Sequence, residues 1–486
     1  MFAGGEGEGK SDRSPRRGGQ PPEHCRGAAE GPFSTGSQRD TTPANAGFHA
    51  AIAVAQPPPS RLMYSPSKRH FLQTVATIGA SSVLPIAAIE RIFARPPTLS
   101  PCELAQREDF WEEVRRAYTV TPDFIQLENG YFSLASNPVL EGYIGHIRHV
   151  NAQSSFYMRT KQVDDKLASR KELARLLGCS HEELIITRNT TESLDTVIAA
   201  FDWKAGDEAV MAEQDYGSML DMFKLQARRF GMVNKVVSLP PHPASDDEIV
   251  KLYEETVTPK TRLLMVCHMV NITGHILPVR KITEMAHRHG VPVMVDGAHT
   301  FAQLDFTIGD LGGADYYATS LHKWLGTPLG AGILYVRKDR IAPLWQLYGD
   351  MGFADDDIRK LNHTGTHAVA TDLAIIDAIK FHETIGIARK SARLRYLQRY
   401  WTDKVRTHPN IVLNTPAAPE RSGAIANVGV KGVAPRDLAK RLLDQYKIFT
   451  VAINNAGVVG VRVTPQLFTT TSELDAFVRA LKEIAA

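Results

Sequence analysis

A chain of 486 residues, 43% hydrophobic and 22% charged, can bury a large core, and at ~100–200 residues per domain it has length for two or three units. Its formal net charge is only +3, and basic and acidic residues are interspersed along the folded part, which argues against a nucleic-acid surface. The four cysteines, Cys25, Cys102, Cys179 and Cys267, form no CxxC pair, which argues against a disulfide framework or a zinc site.

In chain order, residues 1–62 are rich in Gly, Ser, Pro, Arg and Glu, with no period of 2 or 3.6, and read as a disordered extension. Within it, GGEGEGKS (4–11) satisfies the P-loop pattern but has neither the preceding strand nor the following helix that the motif needs, so it carries no function here. Residues 63–95 have the layout of an export signal. A Lys68-Arg69 pair precedes Phe71 and Leu72, an apolar stretch follows (TVATIGASSVLPIAA, 74–88), and small residues lie near position 94. The segment is similar to a twin-arginine leader with Lys68 in place of the first arginine, which implies a periplasmic location; read instead as an ordinary amphipathic helix, it leaves the protein in the cytoplasm. The apolar run is too short and too rich in Gly and Ser to be a stable membrane span.

The folded part begins near residue 105, with an N-terminal segment (105–150) expected to pack with a small C-terminal domain (396–486), and a large domain (151–395) between them. Seven apolar runs predict strands: ELIITR (183–188), EAVMAE (208–213), NKVVSL (234–239), RLLMVCHM (262–269), VPVMVDG (291–297), DYYATSL (315–321) and GILYVR (332–337). Helix-like segments such as SLDTVIAAF (193–201) and VRKITEMAHRHG (279–290) lie between them. Continuous apolar strands separated by helices predict an α/β fold with a mostly parallel seven-stranded sheet, buried on both faces. A long helical stretch is predicted from 372 to about 405, and a smaller α+β unit after it. Cys267 reads as a buried strand thiol, and Glu284, His287 and His289 as a solvated helix end rather than a metal site.

Three segments carry the chemistry. Asp296 ends the apolar strand VPVMVDG, where an open α/β sheet places ligands, and a buried carboxylate there needs a cation; an aspartate in this position also commonly caps a helix. Lys323 lies in SLHKWLGTPLGAG (320–332), after the next apolar run and between His322 and Trp324, a setting that lowers an amine pKa by desolvation. RNTTES (188–193) joins a strand to a helix, so Thr190 and Thr191 fall at a helix start suited to an anion, and a capping role is compatible with that. Gly326, Gly330 and Gly332 make a turn suited to close backbone approach.

Taken in order, TRNTTES, EQDYGS, NITGHILP, VDGAH and SLHKW resemble the class V aminotransferase family of pyridoxal phosphate (PLP) enzymes, of fold type I, and HKWLGTPLGAG is similar to its isopenicillin N epimerase-like branch. The resemblance spans about residues 120–470. It implies that Lys323 is the Schiff-base lysine, Asp296 the partner of the pyridine nitrogen, and His299 a contact of the ring hydroxyl. It further implies that Asn271 lies near that oxygen, that Tyr216 stacks on the cofactor, and that Thr190, Thr191, Ser320 and His322 hold its phosphate. Thr366 resembles a residue that reaches the phosphate of a neighbouring subunit, which implies a homodimer. Arg462 resembles the clamp of the substrate carboxylate, and Asn129 belongs to a substrate-side segment. Cysteine desulfurases of this family need a nucleophilic cysteine just upstream of that arginine, and FTVAINNAGVVGVRV (449–463) has none. The expected activity is therefore PLP chemistry at the Cα of an amino acid or amine, with transamination as the default and epimerisation or elimination as alternatives; a PLP-binding protein without turnover is the non-enzymatic reading.

Overall fold

The computed structural model describes residues 99–486 apart from residue 350, so the N-terminal extension, the leader-like segment, GGEGEGKS and Cys25 lie outside the described residues. The chain opens with helices α1 (Pro101–Leu104) and α2 (Glu108–Arg115), strand β1 (Ile125–Gln126), and helices α3 (Asn137–Thr160) and α4 (Gln162–Leu177). Then follow β2 (Leu184–Thr187), α5 (Thr190–Ala200), β3 (Glu208–Ala212), α6 (Gly217–Phe230), β4 (Val233–Val237), α7 (Asp246–Glu254), β5 (Thr261–Cys267), α8 (Val279–Arg288), β6 (Val293–Asp296), β7 (Tyr316–Ser320) and β8 (Gly332–Val336). The C-terminal part comprises α9 (Ala370–Ile385), α10 (Ile387–Val405), β9 (Ile411–Leu413), β10 (Ala426–Val430), α11 (Pro435–Tyr446), β11 (Ile448–Phe449), β12 (Val451–Asn455), β13 (Val458–Val463) and α12 (Thr471–Ala485). No described helix is long and apolar enough to cross a membrane.

Each of the seven predicted strands is present, and together they form one sheet in the order β2-β8-β7-β6-β5-β3-β4, parallel throughout except for β8. Alternate side chains feed two cores. Val210, Val266, Val295 and Ile333 pack with Tyr253 of α7 and Ile282 and Met285 of α8. Met211, Met265, Met294 and Leu334 pack with Val197 of α5 and Phe223 of α6. Burial on both faces explains why the strands read as unbroken apolar runs rather than alternating ones. Only the edge strand β4 leaves large side chains in solvent, Val233 and Val236.

The stretch expected as one helix from 372 to about 405 is two, α9 and α10, broken at Gly386, whose φ of 84° closes the first and starts the second. A second sheet, β12-β13-β10-β9, is antiparallel and packs through Val428 and Val461 against Trp401 of α10 and Phe477 of α12. The chain's early part is stitched to this sheet's side. β1 pairs in parallel with β11, Glu128 bridges to Thr464, and Arg393 donates to the Ala105 carbonyl at 2.8 Å and pairs with Glu108.

Candidate active site

Strands β3 and β5 are neighbours, but the connections that leave them run to opposite sides, β3 to β4 and β5 to β6. An open sheet splits at such a point beyond the carboxyl ends of its strands, and that is where ligands bind. A cavity of about 620 Å³ lies there, lined by Asp215 and Tyr216 after β3, Asn271 and Ile272 after β5, and Asn454 and Asn455 at the tip of β12.

Asp296 and Lys323 are carried to this edge by adjacent strands. Asp296 ends β6, in register with Cys267 of β5 and Ala318 of β7, and Lys323 follows β7 by one turn. The next residue, Gly297, has to be glycine, because a Cβ there would fall 2.1 Å from the Tyr317 ring. Asp296 is 3% exposed and accepts one hydrogen bond, from the Ala298 N–H at 3.0 Å. Burial raises its pKa, opposed by that bond and by Lys323. Lys323 is shifted the other way, down to about 8, chiefly by burial, with Asp296 opposing.

The Lys323 Nζ lies 3.3 Å from Nε2 of His299, whose Nδ1 lies 3.3 Å from the Trp324 indole nitrogen. An indole N–H only donates, so Nδ1 accepts and the neutral imidazole carries its proton on Nε2. That Nε2–H can approach Nζ favourably only when the amine is neutral and presents its lone pair. The geometry is therefore consistent for neutral lysine beside neutral histidine, in the direction of both shifts: burial first, then Lys323, holds His299 well below the usual imidazole range.

The helix start lies alongside. The Thr190 N–H donates to the Ser320 hydroxyl at 2.9 Å, and the two hydroxyls are 2.7 Å apart, so the first residue of α5 is tied to the last residue of β7. Thr191 follows in the first turn, and the Asn189 side chain caps it by accepting from the Glu192 N–H at 2.9 Å. His322 is buried, with Nδ1 3.2 Å from the Ala331 carbonyl, and is held near pKa 4 mainly by burial.

Arg462 is not a free clamp. It is 8% exposed, and its Nε and Nη2 donate to the two Glu128 oxygens at 3.1 and 2.6 Å, while Nη1 donates to the Asn271 carbonyl at 3.2 Å. Asn129 is fully buried; its N–H donates to the Thr464 hydroxyl at 2.5 Å and its Nδ2 to the Thr464 carbonyl at 2.8 Å, which leaves its buried Oδ1 without a partner. Asn271 opens a loop whose Gly274 has a φ of 77° and would bring a Cβ to 2.0 Å from the Ile425 carbonyl, so only glycine lets the loop dock. Tyr216 precedes α6 as an exposed rim residue of the cavity and makes no ring contact among the described residues. Thr366 is not brought to Lys323 within this chain; it sits on an exposed loop lining a separate cavity of about 740 Å³ with Arg159, Arg170 and Arg359. His287 and His289, read as solvated, each meet an acid, Asp315 at 2.8 Å and Glu254 at 3.2 Å, and the first of these acids is fully buried.

Three buried ionisable groups escaped the sequence reading. Glu128 left one signal, an acid next to Leu127 in an otherwise uncharged LENGYF segment. Asp215 is pushed up to about 8 by burial, and its Oδ1 is buried without a partner. Lys390 is pushed down to about 7 by burial and donates to the Trp324 carbonyl, one residue beyond Lys323. Cys267 is the buried thiol expected, and donates to the Met269 carbonyl at 3.1 Å.

A model of the aminotransferase class-V family matches residues 134–480, and the chain belongs to that family, whose enzymes depend on PLP. Among its relatives, the isopenicillin N epimerase of Amycolatopsis lactamdurans is 28% identical over 395 residues, covering 77% of this chain and 98% of that protein. A probable cysteine desulfurase of Halalkalibacterium halodurans is 26% identical over 387 residues, covering 74% and 92%. The fold is shared with a cysteine desulfurase from Thermococcus onnurineus NA1, at a TM-score of 0.69 and 22% identity over 77% of this chain and 98% of that one. It is shared also with a C-DES variant solved with glycine covalently linked to its PLP cofactor, at a TM-score of 0.69 and 21% identity over 76% and 98%.

The residues present fit that cofactor. A buried lysine of depressed pKa supplies the amine, a buried carboxylate with one hydrogen bond has room for a cation, and a helix start whose Thr190 and Ser320 hydroxyls lie 2.7 Å apart presents hydroxyls and the positive end of its dipole to an anion.

Proposed function

We propose that this chain binds PLP through Lys323 and removes the Cα proton of an amino acid, with epimerisation as the net reaction. When bound, PLP supplies an aldehyde that condenses with amines and a cationic ring that draws electrons from Cα. Asp296 keeps that ring protonated, because burial makes a lone carboxylate costly and a cation beside it relieves the cost. Lys323, once released by the substrate amine, is the base on one face of Cα, its pKa near 8 leaving a useful neutral fraction near neutrality, and inversion requires that a proton return to the opposite face from a second donor, for which solvent water suffices. His299, oriented by the Trp324 indole, sits beside Nζ, and Thr190, Thr191, Ser320 and His322 hold the phosphate. Asn271 and Tyr216 line the neighbouring cavity beyond the ends of β3 and β5, from which a substrate can reach this edge. The single observation that carries this reading is the convergence of Asp296 and Lys323, whose pKa burial holds down to about 8, at the carboxyl ends of adjacent parallel strands.

Epimerisation is preferred to the transamination expected from the motifs because the similarity to an isopenicillin N epimerase extends over 98% of that protein. Desulfuration is disfavoured by the hairpin at 451–463. β12 and β13 are joined by Ala456 and Gly457 alone, both at positive φ, and Gln214 donates to the Ala456 carbonyl at 3.4 Å, so a tight turn without a thiol stands just upstream of Arg462. The working form is a homodimer in which Thr366 reaches the partner's phosphate site. The test is incubation of the yellow holoenzyme with L- and D-amino acids in deuterated water. Deuterium at Cα of both enantiomers supports the reading; keto-acid formation in its place supports transamination; a colourless protein after purification with PLP would falsify the cofactor assignment.

A further inference from the structure

The guanidinium of Arg462 has five N–H groups, and three are already used: Nε and one on Nη2 toward Glu128, and one on Nη1 toward the Asn271 carbonyl. The two that remain are one on each terminal nitrogen, and with Nε and one edge of the fork taken by Glu128 a carboxylate can approach only from the terminal-nitrogen side. Glu128 itself is pinned. Its Oε1 accepts from the Tyr131 N–H at 2.9 Å, its backbone bridges to Thr464, and the N–H groups of Asn129 and Gly130 both donate to the Thr464 hydroxyl. Gly130 packs on the guanidinium so closely that a Cβ there would lie 3.1 Å from Cζ. The pair shares the field of the catalytic groups, since both Glu128 and Arg462 act on the Lys323 charge.

We propose that Glu128 is the positioning residue that makes this site select α-amino acids over the corresponding amines, by fixing Arg462 so that only its end-on edge receives one substrate carboxylate. The idea rests on the reading of the site as one for amino acids. An immobile internal acid also cancels the arginine's charge, so the carboxylate is selected by hydrogen-bond geometry rather than by a net positive field that would gather any anion. A competing carboxylate would have to be mobile, and this one is held by backbone on both flanks.

The experiment titrates the holoenzyme spectrophotometrically with L- and D-amino acids and with the amine corresponding to each, in wild type and in Glu128→Gln, whose amide cannot accept from both Nε and Nη2. In wild type the amino acids bind tighter than their amines. In Glu128→Gln that preference falls about tenfold or more, the scale of one charged hydrogen bond, through a rise in KM for amino acids, with kcat and amine binding little altered. A purely structural role would weaken both ligand classes together. If Glu128→Gln folds poorly, Gly130→Ala, which crowds the guanidinium, is expected to lower the same preference less steeply. An unaltered preference overturns the proposal, as does a larger one, which would make Glu128 a competitor; so does a wild type with no preference for the carboxylate. A yellow protein with an unaltered preference sinks only the role of Glu128, whereas a colourless protein sinks the reading beneath it.

Discussion

Two charged clusters meet at this site and are built on opposite plans. Around Lys323, buried groups are left electrostatically unsatisfied: a lysine near pKa 8 lying 3.3 Å from a histidine held neutral, and a carboxylate pushed up. Around Arg462, equally buried charges are paired with each other by a two-point ion pair and held by backbone groups, with one N–H left on each terminal nitrogen. Unsatisfied groups are the ones a ligand or a reaction can complete, and satisfied ones give a fixed frame against which the ligand is oriented. On the proposed reading, the difference separates a reactive centre from a rigid clamp.

The largest effect that tests this contrast is at the reactive end. Lys323→Ala is expected to lower turnover by at least ~10²–10⁴-fold, the range of a lost general base, with loss of the yellow colour but little change in melting temperature. A variant retaining turnover within tenfold would remove Lys323 from the chemistry. At the clamp the order of effects is reversed, stability before chemistry. Arg462→Met, which strands Glu128 as an unpaired buried charge, should cost about 3–5 kcal/mol in denaturant unfolding, and the double variant Glu128→Met with Arg462→Met should recover much of it. Additive losses in that cycle would mean the pair is not coupled.

A smaller effect sharpens the tautomer argument. Trp324→Phe removes the donor that keeps the His299 proton on Nε2, worth about 0.5–1.5 kcal/mol as one hydrogen bond. We expect roughly a tenfold fall in kcat/KM and a displaced basic limb in its pH profile; a profile identical to wild type would show that the indole does not set the proton's position.

A last test, spread over pH rather than read at one point, concerns Lys390. Its folded pKa of about 7 lies below the usual lysine value of 10.5, so between these pH values the unfolded chain binds more protons than the folded one. Stability then rises with pH across that window, by at most about 1.4 kcal/mol per pH unit, and the buried lysine's penalty is fully present below pH 7. Lys390→Met should flatten this rise. Equal slopes in the two proteins would mean that the amine is solvated or paired in solution.

Much of the fold and the centre of the site is legible in the sequence. The seven strands declare themselves because burial on both faces forces every residue to be apolar, and Asp296 and Lys323 stand out because each follows such a run. Their convergence can be anticipated as well: strands that alternate with helices pair in parallel, so consecutive strand ends gather on one edge. The break at Gly386 is not legible, since a glycine between two helical stretches reads equally as a tolerated interruption. Tyr216 and Thr366 match motifs, yet one lies on the cavity rim and the other on an exposed loop of this chain, which local pattern does not encode.

Sequence alone thus determined the strands, the α/β class and the placing of Asp296 and Lys323 just after apolar strands, because these follow from local periodicity and from where strands end. Only the tertiary structure decided that Arg462 is held by Glu128, 334 positions earlier, and that Lys390 supports the Trp324 carbonyl from 66 positions later. Such partners are selected by burial, where an unpaired charge or carbonyl is costly, and the choice of which group meets it depends on how distant segments pack rather than on any pattern within either segment.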